Sequence, residues 1–387
     1  MTDTHAPIFD TSIFETVIAE GSRRDRWELA VQLADLLCDP ETPQDEVEAV
    51  TPVVLALTED EDETVREELA LGLVNCPDLD PRVIASIAAD DDRIALPFIG
   101  RVEMSEACMA AIARAGDEAR QKVIAARADI GPKSISALIE AGSEEAVKAL
   151  LENPAAAPDE KQLKKLYVRF WKHGDIVEQL LSFEALPLDI RLIETRRASH
   201  RMQALVKAND WVPGDDGKGT VVDAQDRAVI AIFNAARPED LLSLVAFASS
   251  KELLTATLLL KAAVDGHMHI VERALAWLNS TSVKRVRKLM YEHGALSLRS
   301  LTVAGGLPDE CFPVLRAAAD VAREAKADKD WPAPERFGRK VVETLLTRQA
   351  VGSAKEKMRI LAIVADNATG ATKALARHLI DAIDRAA

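Results

Sequence analysis

Residues 112–126, IARAGDEARQKVIAA, and 138–152, LIEAGSEEAVKALLE, follow one plan, in which an apolar helical segment ends at Ala-Gly and an acidic turn opens the next helix. Gly116 and Gly142 hold the same place in the two stretches, and the plan returns at Gly174 in FWKHGDIVEQLL, at Gly266 in AVDGHMHIVERAL and at Gly294 in YEHGALSLRSL. A glycine just past a helix end suits the left-handed cap that other residues resist, and carboxylates in a first turn complement the helix dipole. Each stretch therefore reads as a short helical hairpin.

The same periodicity extends outward in both directions. Leu29, Leu33, Leu36 and Leu37 share one helical face, as do Val65, Leu69 and Leu73, and later Ile270, Ala274, Leu275 and Leu278. No stretch of comparable length alternates with period two. Hydrophobic residues make up 48% of the 387 residues but aromatics only 4%, and an Ala/Leu-rich chain poor in aromatics favours helix over sheet. The expected fold class is all-α. Hairpins recurring every 25 to 40 residues or so suggest an α-solenoid in which each pair buries its face on its neighbours, with a compact helical bundle as the alternative.

Three seams interrupt the pattern: ENPAAAPDEK at 152–161, DWVPGDDGKG at 210–219 and KADKDWPAPERFG at 326–338. They divide the chain into an acidic N-terminal repeat block (1–153), a basic helical middle segment (160–210), a second repeat block (220–325) and a closing set of helices (336–387).

The net charge of −15 is uneven. Residues 1–103 carry 25 acids against 7 bases, whereas the remainder holds 38 acids and 41 bases. The acidic end would repel nucleic acid and anionic membranes and attract basic surfaces. The longest apolar runs, LLSLVAFASS and LLTATLLLKAAV, fall short of a membrane span, and the opening MTDTHAPIFDTSIFETV lacks the basic and apolar regions of a secretory signal. A cytoplasmic protein is expected. Cys38, Cys76, Cys108 and Cys311 are widely spaced without a CxxC pair, so they read as small buried thiols.

VREELALGL, then PRVIASIAADDDRIALPFIGR, then AIARAGDEARQKVIAARADIGPKSISALIEAGSEEAVKALLENPAA resembles an alphaproteobacterial family of unknown function, domain of unknown function 2336, whose members carry HEAT-like helical repeats. The resemblance rests on the acidic step before RIALPFI, the Ala-Ala-Arg at Ala125 to Arg127 and the Leu-Leu-x-Asn at Leu150 to Asn153. It extends over about 20–323. These motifs pack helices, so the resemblance implies a HEAT-like α-solenoid of short hairpins and carries no catalytic residues.

WVPGDDGKGT (211–220) has the letters of a phosphate loop, yet Val212 stands where the first glycine belongs, Gly219 replaces the hydroxyl, and Asp215 and Asp216 would oppose phosphate. A linker is the expected reading. Asp265, His267 and His269 in DGHMHI suggest a metal, but residues two apart on a helix diverge, so capping or solvent-facing histidines are favoured. The acidic runs at 58–68 and 89–94 lack the central glycine of a calcium loop. Their carboxylates, including Asp60, Glu61, Asp62, Asp90, Asp91 and Asp92, read as helix caps or as an acidic docking face for a basic partner. No GxSxG, HExxH or SxxK motif occurs, and no catalytic, cofactor or metal residues are assigned.

The basic candidates lie later. Residues 161–207 hold ten Lys plus Arg against five acids, interleaved with Tyr167, Phe170 and Trp171. Lys164, Lys165 and Arg169 form one candidate face, Arg196, Arg197 and Arg201 a second, and Lys284, Arg285 and Lys288 a third. Bases beside exposed aromatics can grip phosphates, but Phe170 and Trp171 precede a turn and are expected to pack inward. The expected function is a non-enzymatic scaffold or regulatory adaptor that binds another protein, with no membrane and no cofactor. The alternative is a nucleic-acid-associated protein using the basic faces.

Overall fold

The computed structural model describes residues 11–209, 216–348, 354–368 and 370–386. Among these residues all regular structure is helical. The chain divides into two compact units, Met1–Leu186 and Pro187–Ala387. The basic segment 160–210 is shared between them.

The first unit contains α1 (Thr11–Glu20), α2 (Arg23–Cys38), α3 (Gln44–Thr58), α4 (Glu63–Leu73), α5 (Pro81–Ala88), α6 (Asp92–Ile99), α7 (Glu106–Ala115), α8 (Glu118–Ala125), α9 (Pro132–Ala141), α10 (Glu144–Glu152), α11 (Glu160–Phe170) and α12 (Gly174–Ser182). Most of these helices are too short to persist alone, so packing and capping hold them. Ser105, Asp117 and Ser143 each accept a backbone N–H of the helix they open, and Ser22 and Asp159 form full capping boxes. Each helix packs on the helix two ahead of it: α1, α3, α5, α7, α9 and α11 follow one another in one series, and α2, α4, α6, α8, α10 and α12 in a second. Leu57, Leu69, Phe98, Ile124 and Leu138 are fully buried between them. Gly72 lets α4 approach α2, since a Cβ there would stand 2.5 Å from that of Ala34.

The hairpin glycines act differently from the sequence expectation. Gly116 and Gly142 are extended, with φ of −74° and −62°, and neither forms a left-handed cap. Their constraint is space: a Cβ would lie 2.7 Å from the Ile112 carbonyl at Gly116 and 2.4 Å from that of Leu138 at Gly142. The chain turns so tightly over the helix end that only a missing side chain fits. Positive φ occurs instead at Gly266 and Gly294, both at 83°.

The second unit contains α13 (Leu188–Asn209), α14 (Asp216–Ala235), α15 (Leu241–Ser250), α16 (Ala256–Val264), α17 (Met268–Leu278), α18 (Val283–Tyr291), α19 (Ala295–Ala304), α20 (Cys311–Asp328), α21 (Pro334–Arg348), α22 (Ala354–Asn367) and α23 (Gly370–Ala386). Its centre is α16, the apolar run LLTATLLLKAAV of the sequence, which is buried from Leu258 through Val264 and touches α14, α17, α20, α21 and α22. A helix apolar on all sides belongs in a core. The Pro-rich seam at 326–338 is anchored there too, by Phe337, which is fully buried against Gly266. No helix among the described residues is long and apolar enough to cross a membrane.

Candidate functional site

The six acidic candidates do not form one solvated face. Asp60 is 8% exposed, and its carboxylate accepts from Arg26 Nε at 2.7 Å and from the Asp62 N–H at 2.8 Å. Asp90 is likewise taken up, by Arg66 at 2.8 Å and by the Asp91 N–H at 2.7 Å. Asp62 caps α4 through the Thr64 N–H, which with its hydroxyl hydrogen bond holds its carboxyl below the usual range. Glu61, Asp91 and Asp92 remain largely solvated, and even these lie near Arg26, Arg66 and Arg120 respectively. Asp60 and Asp90 are therefore interior clasps, removed from any acidic docking face by arginines two helices away.

Those arginines were not singled out in the sequence, and they stitch successive hairpins together. Arg66 on α4 donates to the Asp60 carbonyl as well as to Asp90. Arg120 on α8 reaches the Ala88 and Asp90 carbonyls and Asp92. Arg127, just past α8, is buried: it donates to the Ile99 and Val102 carbonyls at the end of α6 and pairs with Asp129 at 2.7 Å. Asn153, past α10, donates through one amide nitrogen to the carbonyls of Ala125 and Arg127, both at 2.8 Å. Ala-Ala-Arg and Leu-Leu-x-Asn are thus consecutive links, each capping the helix end two elements back, and RIALPFI supplies the first end that is capped.

The basic candidates separate into three situations. On α11, Arg169 is turned to structure, donating to the Ile139 and Gly142 carbonyls at the end of α9, and burial lowers its pKa. Lys164 and Lys165 lie on the exposed side, Lys165 at 3.3 Å from Glu140. Phe170 is buried as expected, whereas Trp171 is 44% exposed with Lys172 over its ring. Trp171 follows the last residue of α11, where the turn carries it away from the apolar stripe. On α13, Arg196 pairs with Glu252 and Arg197 with Glu194, and Arg201 stands 4.0 Å from Glu194.

On α18, Lys284, Arg285 and Lys288 are exposed, and their side chains make no ion pair among the described residues. Val286 and Met290 bury the opposite side of this helix. Arg287 is the exception, held by the buried carboxylate of Glu272 at 2.6 Å, which also accepts from the Tyr291 hydroxyl. Arg285 borders a cavity of about 630 Å³ between the end of α17, α18 and α19. Sequence reasoning selected Arg285 for its charge. It had no signal for the cavity, whose walls come from three helices.

His267 and His269 place their rings edge to face, 6.2 Å apart, beside the φ-positive turn at Gly266. No group of three or more His, Cys, Asp or Glu among the described residues is placed to hold a metal. Burial lowers both histidines and pushes the Asp265 carboxyl up to about 6. An unfolded Asp265 titrates near 3.8, so its folded-state preference for the proton stabilises the fold below that value and is lost as pH rises through about 6. The histidines run the other way, losing their contribution as pH falls below 6.5, and are common to wild type and variant. Asp265→Asn is therefore expected to gain stability relative to wild type between about pH 4 and pH 7, as measured by urea unfolding.

The phosphate-loop letters and the linker at 210–219 lie mostly outside the described residues, which resume with α14 at Asp216. The four cysteines are free, Cys76 and Cys311 buried and Cys38 and Cys108 half-buried.

A bacterial family described as an uncharacterised protein conserved in bacteria (DUF2336) matches residues 77–353. The matched range holds every basic candidate and Asp90 to Asp92, and leaves Asp60 to Asp62 outside. No curated protein and no solved structure matches the chain.

Proposed function

We propose, from the premise that the chain belongs to the bacterial DUF2336 family, that it is a non-enzymatic cytoplasmic scaffold or adaptor that holds another protein on a HEAT-like α-solenoid. The helix-on-second-helix packing of the first unit, with arginine and asparagine links between successive hairpins, supports the solenoid. Such a framework presents an extended surface to a partner. The observation that carries the binding reading is α18: three cations without carboxylate partners among the described residues, with exposed Leu296 beside Arg285, in a chain whose other described arginines are mostly engaged. Unpaired charge next to exposed aliphatic surface suits a protein partner.

A nucleic-acid reading has one specific observation in its favour, the exposed Trp171 and Val168 among the lysines of α11. The two readings separate by salt. Phosphate binding through six or more contacts loses about a thousandfold or more between low and moderate salt, whereas an apolar contact persists. Affinity purification of the tagged chain from its own cells after brief crosslinking, with high-salt washes and nuclease, is expected to retain a stoichiometric protein. Recovery of only nuclease-sensitive, salt-labile material would sink the scaffold reading.

A further inference from the structure

The cavity bounded by Arg285 joins two chemistries. One part of its lining is polar: Ser280, Thr281, Ser297 and Ser300 border the same space as Arg285. The other is aliphatic, made by Leu289, Leu296, Leu301 and Ala304. Leu296 is 82% exposed, more than any other large hydrophobic residue of the described chain, although Leu298 and Leu301 on the same helix are buried. Lys284 and Lys288 stand on α18 alongside, also without ion pairs among the described residues.

We propose that this cavity docks a short acidic segment of a partner protein, seating an aliphatic side chain among Leu289, Leu296 and Leu301 and a carboxylate on Arg285. The inference rests on the protein-binding reading above and specifies its site and ligand chemistry. Charge complementarity selects the occupant: one cation on the cavity's lining and two more on the same helix, all without ion pairs among the described residues, beside an aliphatic surface, call for carboxylates flanking a Leu, Ile or Met. A nucleic-acid strand fits less well. No aromatic ring lines the cavity to stack a base, and a single guanidinium borders it. The volume, about 630 Å³, accommodates a few side chains rather than a folded domain.

The test is selection of a displayed random dodecapeptide library on the immobilised full-length chain, followed by anisotropy of the enriched peptides and of a 20-nucleotide single-stranded oligonucleotide. Enriched peptides are expected to carry Asp or Glu around an aliphatic residue. Arg285→Glu and Leu296→Glu should each weaken them by about tenfold or more, the loss that follows removal of an interface anchor. Both positions are solvent-facing, so the variants should unfold at the wild-type temperature, which melting curves check. Enriched peptides without an acidic excess, or peptides retained equally by both variants, would overturn the proposal. So would an oligonucleotide that binds and is released by Arg285→Glu while no acidic peptide binds. If crosslinking recovers a stoichiometric partner that both variants still hold, the scaffold reading stands and this site is wrong.

Discussion

Arg127→Met is expected to lower the stability of the Met1–Leu186 unit by about 2 to 6 kcal/mol, the sum for two buried carbonyls left without a hydrogen bond. The guanidinium closes three contacts at once: the carbonyls of Ile99 and Val102, left without intrahelical partners where α6 ends, and the carboxylate of Asp129. Methionine keeps the aliphatic stem and loses every donor, so the volume is nearly conserved while two interior carbonyls lose their hydrogen bonds. Each buried carbonyl left so costs about 1 to 3 kcal/mol. Asn153→Ala should weaken the neighbouring link by less, since one amide nitrogen serves the Ala125 and Arg127 carbonyls. Hydrogen exchange assigns the effect to its unit: protection should fall across α6 and α8 and persist in α16. Unchanged protection in α6 would mean that water replaces the guanidinium without cost.

The second large effect belongs to the other unit. Lys261 is buried on the central helix α16, with its ammonium 2.7 Å from Asp226 and 3.0 Å from Asp223. Asp226 is itself 1% exposed, accepts a further bond from Thr257, and has one carboxylate oxygen, Oδ1, with no hydrogen-bond partner. Lys261→Met strands that carboxylate in the core and should cost about 3 to 5 kcal/mol. The double variant Lys261→Met with Asp226→Leu should recover to within about 1 kcal/mol of wild type, because two well-packed apolar side chains often equal a buried ion pair. Urea midpoints of the two variants decide it. Equal losses in both would mean that the pair contributes more than the desolvation it costs, since Asp223 keeps Arg227 as its partner in either variant.

The apolar run of α16 shows how far local pattern reaches. LLTATLLLKAAV was legible as an apolar run too short for a membrane span, and nothing local marked its single lysine. The structure places that lysine inside the core, which required two aspartates more than thirty positions earlier. The charge candidates divide on the same principle. Asp60, Asp90 and Asp91 occupy equivalent acidic runs, yet the first two are clasped by Arg26 and Arg66 and the third is solvated. Arg169 and Arg285 are both cations on amphipathic helices. One spends its guanidinium on the end of α9, and the other opens onto a cavity.

By itself, the sequence determined that this chain is helical throughout its described length, where many of its helices begin, and which family it belongs to. These properties depend on neighbours within a turn or two: caps, apolar spacing and short motifs. Only the tertiary structure decided that Gly116 and Gly142 answer to space and not to a left-handed backbone, that the chain divides at Leu186, and which charges have no ion pair among the described residues. The physical reason is that burial and pairing are set by residues one or more hairpins away. A charge's availability is a property of those contacts and not of the residue that bears it.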